Sequence, residues 1–300
     1  MPTFIKPPGA IGVFSPASPP DKDKLAVGLK KLVDFGYRTV LSKGAKRRGK
    51  YLAGSDEVRA DDLMKIINYP GISGIMASRG GYGCLRILPS LDFSKMPENV
   101  PIVGYSDLTV LHLARYAATG QGGWHGPVVG QLPLQADKLQ EHLGALAGAP
   151  PDDWTFHGLF CLSEGEAVGP LLGGNLTLVN ALLCSPYMPS LDGAILLLED
   201  VAEAGYKLDR LLAALWLSGR LKKVAGIVFG EFKGCGGLRA VHRLLAEFVR
   251  RLSPKIPALW CPCFGHGSRN LPWFYGEKAL LKVELGQGRL TFMERRKIKS

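Results

Sequence analysis

No apolar run in this 300-residue chain approaches the roughly 20 residues that cross a bilayer, so no helical span and no membrane partner are expected. The opening Met1-Pro2-Thr3-Phe4-Ile5-Lys6-Pro7-Pro8 has neither the apolar stretch nor the small-residue cleavage site of a secretory signal. Six cysteines are scattered, and Cys261-Pro262-Cys263 has one intervening residue, where zinc-binding pairs have about two to four. No metal and no cofactor are therefore expected. Isolated thiols of this kind suit a reducing compartment, and a cytoplasmic location follows as the expectation. Neither a phosphate-cradling G-x-x-x-x-G-K-[ST] loop nor a complete G-x-G-x-x-G is present; Gly80-Gly81-Tyr82-Gly83 falls short of both. The 38 glycines and 21 prolines are dispersed, which excludes a low-complexity chain.

Charge of one sign is in excess, at +11. Lys43, Lys46, Arg47, Arg48 and Lys50 crowd one loop, and Arg295, Arg296, Lys297 and Lys299 form a C-terminal tail. Neither cluster is interleaved with aromatic residues as a base-stacking platform would be, so no nucleic-acid partner is expected. Solvated surface or attraction of acidic ligands accounts for the charge. A non-catalytic anion or nucleic-acid binder stands as the alternative from another functional class.

What is present is an alternation of strands and helices. With 46% hydrophobic residues the chain can bury one large core or two modest ones. Strands are expected at Ile11–Phe14, Tyr37–Leu41, Gly74–Ser78 and Val100–Gly104. Helices are expected at Asp23–Phe35 and Glu57–Asn68, the latter begun by Ser55 or Asp56, and another after Gly104 with Leu108, Leu111, His112 and Tyr116 on one face. Such alternation predicts a parallel sheet with ligands at the carboxyl ends of its strands. From about Gln131 to Gly165 the pattern decays, and the breaker-rich 148–153 places a domain change there. Beyond it, Gly169–Leu176 reads as a turn into a helix Leu176–Leu183. Ala194–Glu199 and Val224–Phe229 read as buried strands, and 205–218 and 238–252 as helices.

Two strand ends carry the chemistry. Ser78-Arg79-Gly80-Gly81-Tyr82-Gly83 and Gly104-Tyr105-Ser106-Asp107 each break from a strand into a turn at the mouth of a helix. A serine held there has an exposed oxygen with backbone amides beside it, as an acyl-transfer nucleophile requires. The motif is not the hydrolase G-x-S-x-G, since Leu108 replaces the second glycine, and an N-capping serine is the structural alternative. Glu199 closes a wholly apolar run, where a carboxylate is costly unless used, although the strand could simply emerge into water there. His266 is bracketed by Gly265 and Gly267, which leave the imidazole clear; a plain turn is the alternative. Ser106, His266 and Glu199 make a complete nucleophile, base and orienting acid, with His125 as a rival base.

With these stretches assembled, the chain resembles the LD-carboxypeptidase family of serine peptidases, which includes muramoyltetrapeptide carboxypeptidases and microcin C self-immunity peptidases. The matching segments are Tyr51–Asp56 with Arg59, Asp61 and Asp62; Ser78–Gly83; Gly104–Asp107; His125-Gly126-Pro127; Gly173–Leu176; Glu199-Asp200 with Glu203, Tyr206, Asp209 and Arg210; and Gly265-His266-Gly267. They run in order from about Ile11 to Ala279. The resemblance implies Ser106 as nucleophile, His266 as base, Glu199 as orienting acid, and oxyanion donors on the backbone around Gly80, Gly81 and Asp107, with His125 structural. It also implies an α/β fold with an N-terminal parallel-sheet domain over 1–135, a linker over 136–165 and a smaller C-terminal α/β domain over 166–300, the active site lying at the domain interface. The implied reaction is release of terminal D-alanine from a muropeptide, or alternatively cleavage of a peptidyl-nucleotide antibiotic. Arg79 is a candidate contact for a substrate carboxylate or else a structural partner of Asp107. A homodimer is implied by the family, with Trp154, Phe156, Leu159 and Phe160 either supplying contact surface or packing on their own domain.

Overall fold

The computed structural model describes residues 1–47, 49–149 and 155–293; Arg48, Trp154, residues 150–153 of the expected connector and the basic tail 295–299 lie outside the described residues. Two units emerge, one from residues within 2–151 joined by 272–274, the other from residues within 152–271 and 275–300.

The first unit is a six-stranded sheet. Its elements are β1 (Ala10–Phe14), α1 (Lys22–Asp34), β2 (Arg38–Leu41), α2 (Asp56–Ile67), β3 (Ile72–Ala77), α3 (Cys84–Ile87), β4 (Ile102–Val103), α4 (Thr109–Thr119), β5 (Trp124–His125) and α5 (Leu139–Ala147). Asp21 caps α1 by accepting from the Asp23 and Lys24 amides, and Leu25, Gly28 and Leu32 form its buried stripe at helical spacing. Ser55 caps α2. The strands β5, β4, β3, β1 and β2 lie side by side and parallel, as the alternation predicts. One neighbour is not local: Trp273 and Phe274, far along the chain, pair antiparallel with His125 and Trp124 at the sheet edge.

The second unit contains β6 (Thr155–His157), β7 (Phe160–Ser163), β8 (Gly165–Asn175), α6 (Leu176–Leu182), β9 (Ile195–Val201), α7 (Gly205–Leu217), β10 (Gly226–Lys233), α8 (Leu238–Arg250), β11 (Ala258–Trp260), β13 (Lys278–Glu284) and β14 (Gln287–Phe292), with the Trp273–Phe274 strand of the first unit numbered β12. The sheet order is β6-β14-β13-β8-β9-β10-β11-β7, a parallel centre with antiparallel flanks. Two expectations are corrected here. Gly169–Asn175 is not a turn but the end of an eleven-residue strand. Its glycines permit that strand to lie hard against β9: a Cβ on Gly173 (φ +125°) would sit 2.1 Å from the Leu197 carbonyl oxygen. Residues 136–165 are not a plain linker, since α5, β6 and β7 fall within them. Phe156 is buried against Phe292 and Phe264, and Phe160 packs against His242 and Trp260, so both lie on their own unit; Leu159 is exposed. Among the described residues, no helix is long and apolar enough to cross a membrane.

Candidate active site

In the first unit Ser106 follows β4 through Gly104 and Tyr105. Its backbone is left-handed, φ +64°, a conformation that costs an L-residue about 1–3 kcal/mol and is held only where surroundings impose it. An N-cap has extended backbone, so the capping alternative does not describe this serine. The imposing groups are identifiable. Gly104 (φ +155°) has no room for a side chain, since a Cβ would lie 2.4 Å from Leu108 Cδ2. His112 Nε2–H donates to the Gly104 carbonyl at 2.9 Å, which assigns the proton to Nε2. Burial pushes the His112 pKa down to about 4, so the ring is neutral at pH 7.

The glycine turn stands beside this serine. A Cβ on Gly80 would lie 3.2 Å from Ser106 Cβ and 3.4 Å from Ser106 Oγ. Gly81 (φ +113°) packs on Ser18, whose hydroxyl accepts from the Tyr82 amide at 3.2 Å. One charged group clamps the two turns together, and a second ties the glycine turn to the Pro16 loop. The buried Asp107 carboxylate accepts from the Cys84 amide at 2.7 Å, and the buried Arg59 guanidinium donates to the Gly83 carbonyl at 2.8 Å and to the Pro16 carbonyl and Asp56. Burial raises the Asp107 pKa, opposed by its hydrogen bonds with Cys84 and by the charge of Arg59. Arg79 is exposed and donates to the Pro19 carbonyl at 3.3 Å; Asp107 is not its partner. His125 stacks on Trp273 (4.9 Å between ring centres) and meets Tyr105 edge-on, which is a packing role behind the serine turn.

In the second unit β9 carries Glu199 with no solvent exposure, so the strand does not emerge into water at this residue. Glu199 Oε2 lies 2.6 Å from His266 Nδ1. That contact places the ring proton on Nδ1 and leaves Nε2 as the basic nitrogen. The glycine at position 265 (φ +107°) is obligatory for this approach, because a Cβ would lie 2.8 Å from Glu199 Oε2 and 2.9 Å from Glu199 Cβ. Asn270, fully buried, accepts from the Gly265 amide at 2.9 Å and shapes the same loop. Asp200 faces away from the pair: it accepts from Asn175, from the Thr177 amide and hydroxyl, and from the Val201 amide, fastening the start of α6 to β9.

Ser106, Gly80, Gly81 and Asp107 thus share one cluster in the first unit, with Arg79 on its turn, and Glu199 and His266 are paired in the second. Reading the sequence alone did not single out His112, Asn270 or Glu231. Histidine at a buried helical position carries no local signal, and the asparagine and glutamate show their place only when the loop around His266 packs against them. Among the described residues no three His, Cys, Asp or Glu side chains are grouped to hold a metal ion.

Residues 11–126 match the LD-carboxypeptidase N-terminal domain and residues 168–281 the LD-carboxypeptidase C-terminal domain. The chain is 32% identical to the probable murein peptide carboxypeptidase of Bacillus subtilis, over 91% of this chain and 88% of that protein. It is also 32% identical to the murein tetrapeptide carboxypeptidase of Pseudomonas aeruginosa, over 91% and 93%. The crystal structure of an MccF-like protein from Bacillus anthracis shares the fold, with a TM-score of 0.86 at 24% identity over 97% of this chain and 98% of that one. With both halves matched in order and relatives at this identity along nearly the whole length, the chain belongs to the LD-carboxypeptidase family.

Proposed function

We propose that this protein is a metal-independent serine carboxypeptidase that hydrolyses an L-to-D peptide bond and releases terminal D-alanine from murein tetrapeptides. The observation that carries the reading is the buried Glu199 carboxylate 2.6 Å from His266 Nδ1, an orienting acid on a base. In the proposed reaction His266 Nε2 removes the proton from Ser106 Oγ as that oxygen attacks the peptide carbonyl. Glu199 holds the ring in the competent tautomer and stabilises the imidazolium. Backbone amides around Gly80, Gly81 and Asp107 receive the oxyanion, each donor contributing about 3 kcal/mol to lowering the barrier. The imidazolium then protonates the departing D-alanine amine, and a water, deprotonated by His266, hydrolyses the acyl-serine. Arg79, exposed on the glycine turn, is the proposed contact for the substrate's terminal carboxylate.

Relatives named as murein peptide carboxypeptidases support the substrate class. Six unpaired thiols support a reducing compartment, and we place the reaction in the cytoplasm, on wall peptides being recycled. A homodimer is the proposed assembly, checked by light scattering.

The test is incubation with tetrapeptide muropeptide and, separately, with aminoacyl-sulfamoyl adenosine. Release of D-alanine from the first, abolished in Ser106→Ala and insensitive to chelators, is the expected result. Cleavage of the nucleotide alone would replace the muropeptide reading with the peptidyl-nucleotide one. Salt-sensitive nucleic-acid binding without hydrolysis of either would overturn the enzyme reading.

A further inference from the structure

Glu231 is a carboxylate that the reaction above leaves without a task. It lies in β10 where pairing with β9 slips: Phe229 pairs with Leu198, but the next pairs are Phe232 with Asp200 and Lys233 with Val201. Three steps along β10 therefore match two along β9, and Gly230 and Glu231 occupy the extra step. Bulges of this kind re-aim a side chain and recur beside active sites. The backbone around Glu231 is tied to the His266 loop on both flanks. The Glu231 amide donates to the Phe264 carbonyl at 2.9 Å, two residues before His266. One residue after it, a Cβ on Gly267 would lie 2.8 Å from Glu231 Cγ and 2.9 Å from Glu231 Oε2.

The side chain is half-buried, and among the described residues its carboxylate accepts no hydrogen bond and joins no ion pair. Burial raises its pKa, Glu199 adds to the rise by like charge, and Lys233 opposes it. Glu199 is already committed to His266, and that pair is neutral overall once His266 carries its second proton. Glu231 is the additional negative charge beside it. A half-desolvated carboxylate without a donor is costly to keep unless a ligand completes it, and a charged donor completes it about twice as well as a neutral one.

We propose that Glu231 is a specificity-determining residue whose carboxylate accepts a hydrogen bond from a primary ammonium of the peptide substrate near the scissile bond. The inference rests on the peptidase reading above. It selects peptides carrying a free side-chain amine over peptides in which that amine is capped.

The test uses two tetrapeptides ending in D-alanine, one with lysine at the third position and one with Nε-acetyl-lysine, against the wild-type protein, Glu231→Gln and Glu231→Asp. The wild type is expected to favour the lysine peptide by about tenfold in kcat/KM, the factor of a 1.4 kcal/mol interaction. In Glu231→Gln that preference should fall to within about twofold, through a higher KM for the lysine peptide. Glu231→Asp, which keeps the charge, should retain part of it. An equal loss on both peptides, carried in kcat, would make Glu231 a mere support for the Gly267 backbone and overturn the inference. An unchanged preference in Glu231→Gln would overturn it equally. Failure of the wild type to release D-alanine from either peptide would instead remove the peptidase reading, and this inference with it.

Discussion

Around Ser106 strained backbone and buried anchors set the geometry, whereas around His266 a buried carboxylate meets the ring directly. In the first unit a left-handed serine, three positive-φ glycines (Gly81, Gly83 and Gly104) and a set of buried anchors, namely Asp107, Arg59 and His112, fix where amides and a hydroxyl point. In the second unit a 2.6 Å contact joins Glu199 to His266, and Gly265 is there so that the loop can reach it. Each half is therefore fragile in a different place. A backbone-built cluster spreads its tolerance over many anchors, each replaceable at partial cost. A pair in direct contact fails when either partner, or the space between them, is altered.

The largest expected effect tests whether the two halves act as one machine. Ser106→Ala and His266→Ala should each lower turnover by about 10⁶-fold and Glu199→Gln by about 10⁴-fold, with far-UV circular dichroism unchanged. Steady-state D-alanine release reads this, and a loss of under tenfold in any of the three would break the assignment.

Comparing Gly265→Ala with Gly80→Ala sharpens the contrast. At 265 the new methyl meets both the Glu199 carboxylate and an unfavourable φ, so a stability loss of about 3 kcal/mol is expected with loss of turnover. At 80 the methyl presses only on Ser106 at 3.2 Å. There stability should change by under about 1 kcal/mol while turnover falls about 10²-fold through misplacement of the nucleophile. Urea unfolding alongside kinetics separates the two, and equal stability losses would refute the contrast.

The pH dependence of the first unit is the next smaller effect. His112 titrates at its ordinary 6.5 when unfolded and at about 4 when folded. Between these values the unfolded chain binds a proton that the folded chain refuses, so stability is full above pH 6.5 and falls as pH drops toward 4, by about 3 kcal/mol. Burial raises Asp107 and Asp200, which acts in the opposite sense, because there the folded state keeps the proton longer. Glutamine can preserve the donor to the Gly104 carbonyl without titrating. The difference between wild type and His112→Gln, measured by urea unfolding at several pH values, should therefore isolate the histidine. Parallel curves for the two proteins would remove this account.

Asp107→Asn is expected to be the mildest. The amide oxygen can still accept from Cys84, so about 1–2 kcal/mol of charge-assisted bonding is lost, with a turnover loss smaller than that of Gly80→Ala. Turnover as low as in Glu199→Gln would mean that the first half depends on the Asp107–Cys84 contact alone.

Much of this was legible in the residues. The parallel strands and the helices α1, α2 and α4 follow from local apolar periodicity, which needs no partner to be seen. Ser106 was legible because a strand breaking at Gly104 into a helix is a local event, and Glu199 because an acid interrupts an apolar run. The fused role of Gly169–Asn175 was not: a glycine-rich stretch reads as a turn until β9 is placed against it and the missing side chains become clearance. The pairing of Trp273 with His125 depends on strands distant in sequence, to which periodicity is blind, whereas the β13–β14 hairpin is local, closed by Leu285 and Gly286.

Short stretches of residues carry the strand–turn–helix units, the serine, glutamate and histidine at their ends, and the glycines without which their turns could not form. These are properties of short stretches, set by φ, side-chain period and capping. It took the assembled sheets to bury Glu199 fully against His266, to let Asp107 clamp the serine turn to the glycine turn, and to leave Glu231, among the described residues, without a partner beside the histidine loop. Those are facts of desolvation and distance, and both come into existence only when separate strands close into a sheet.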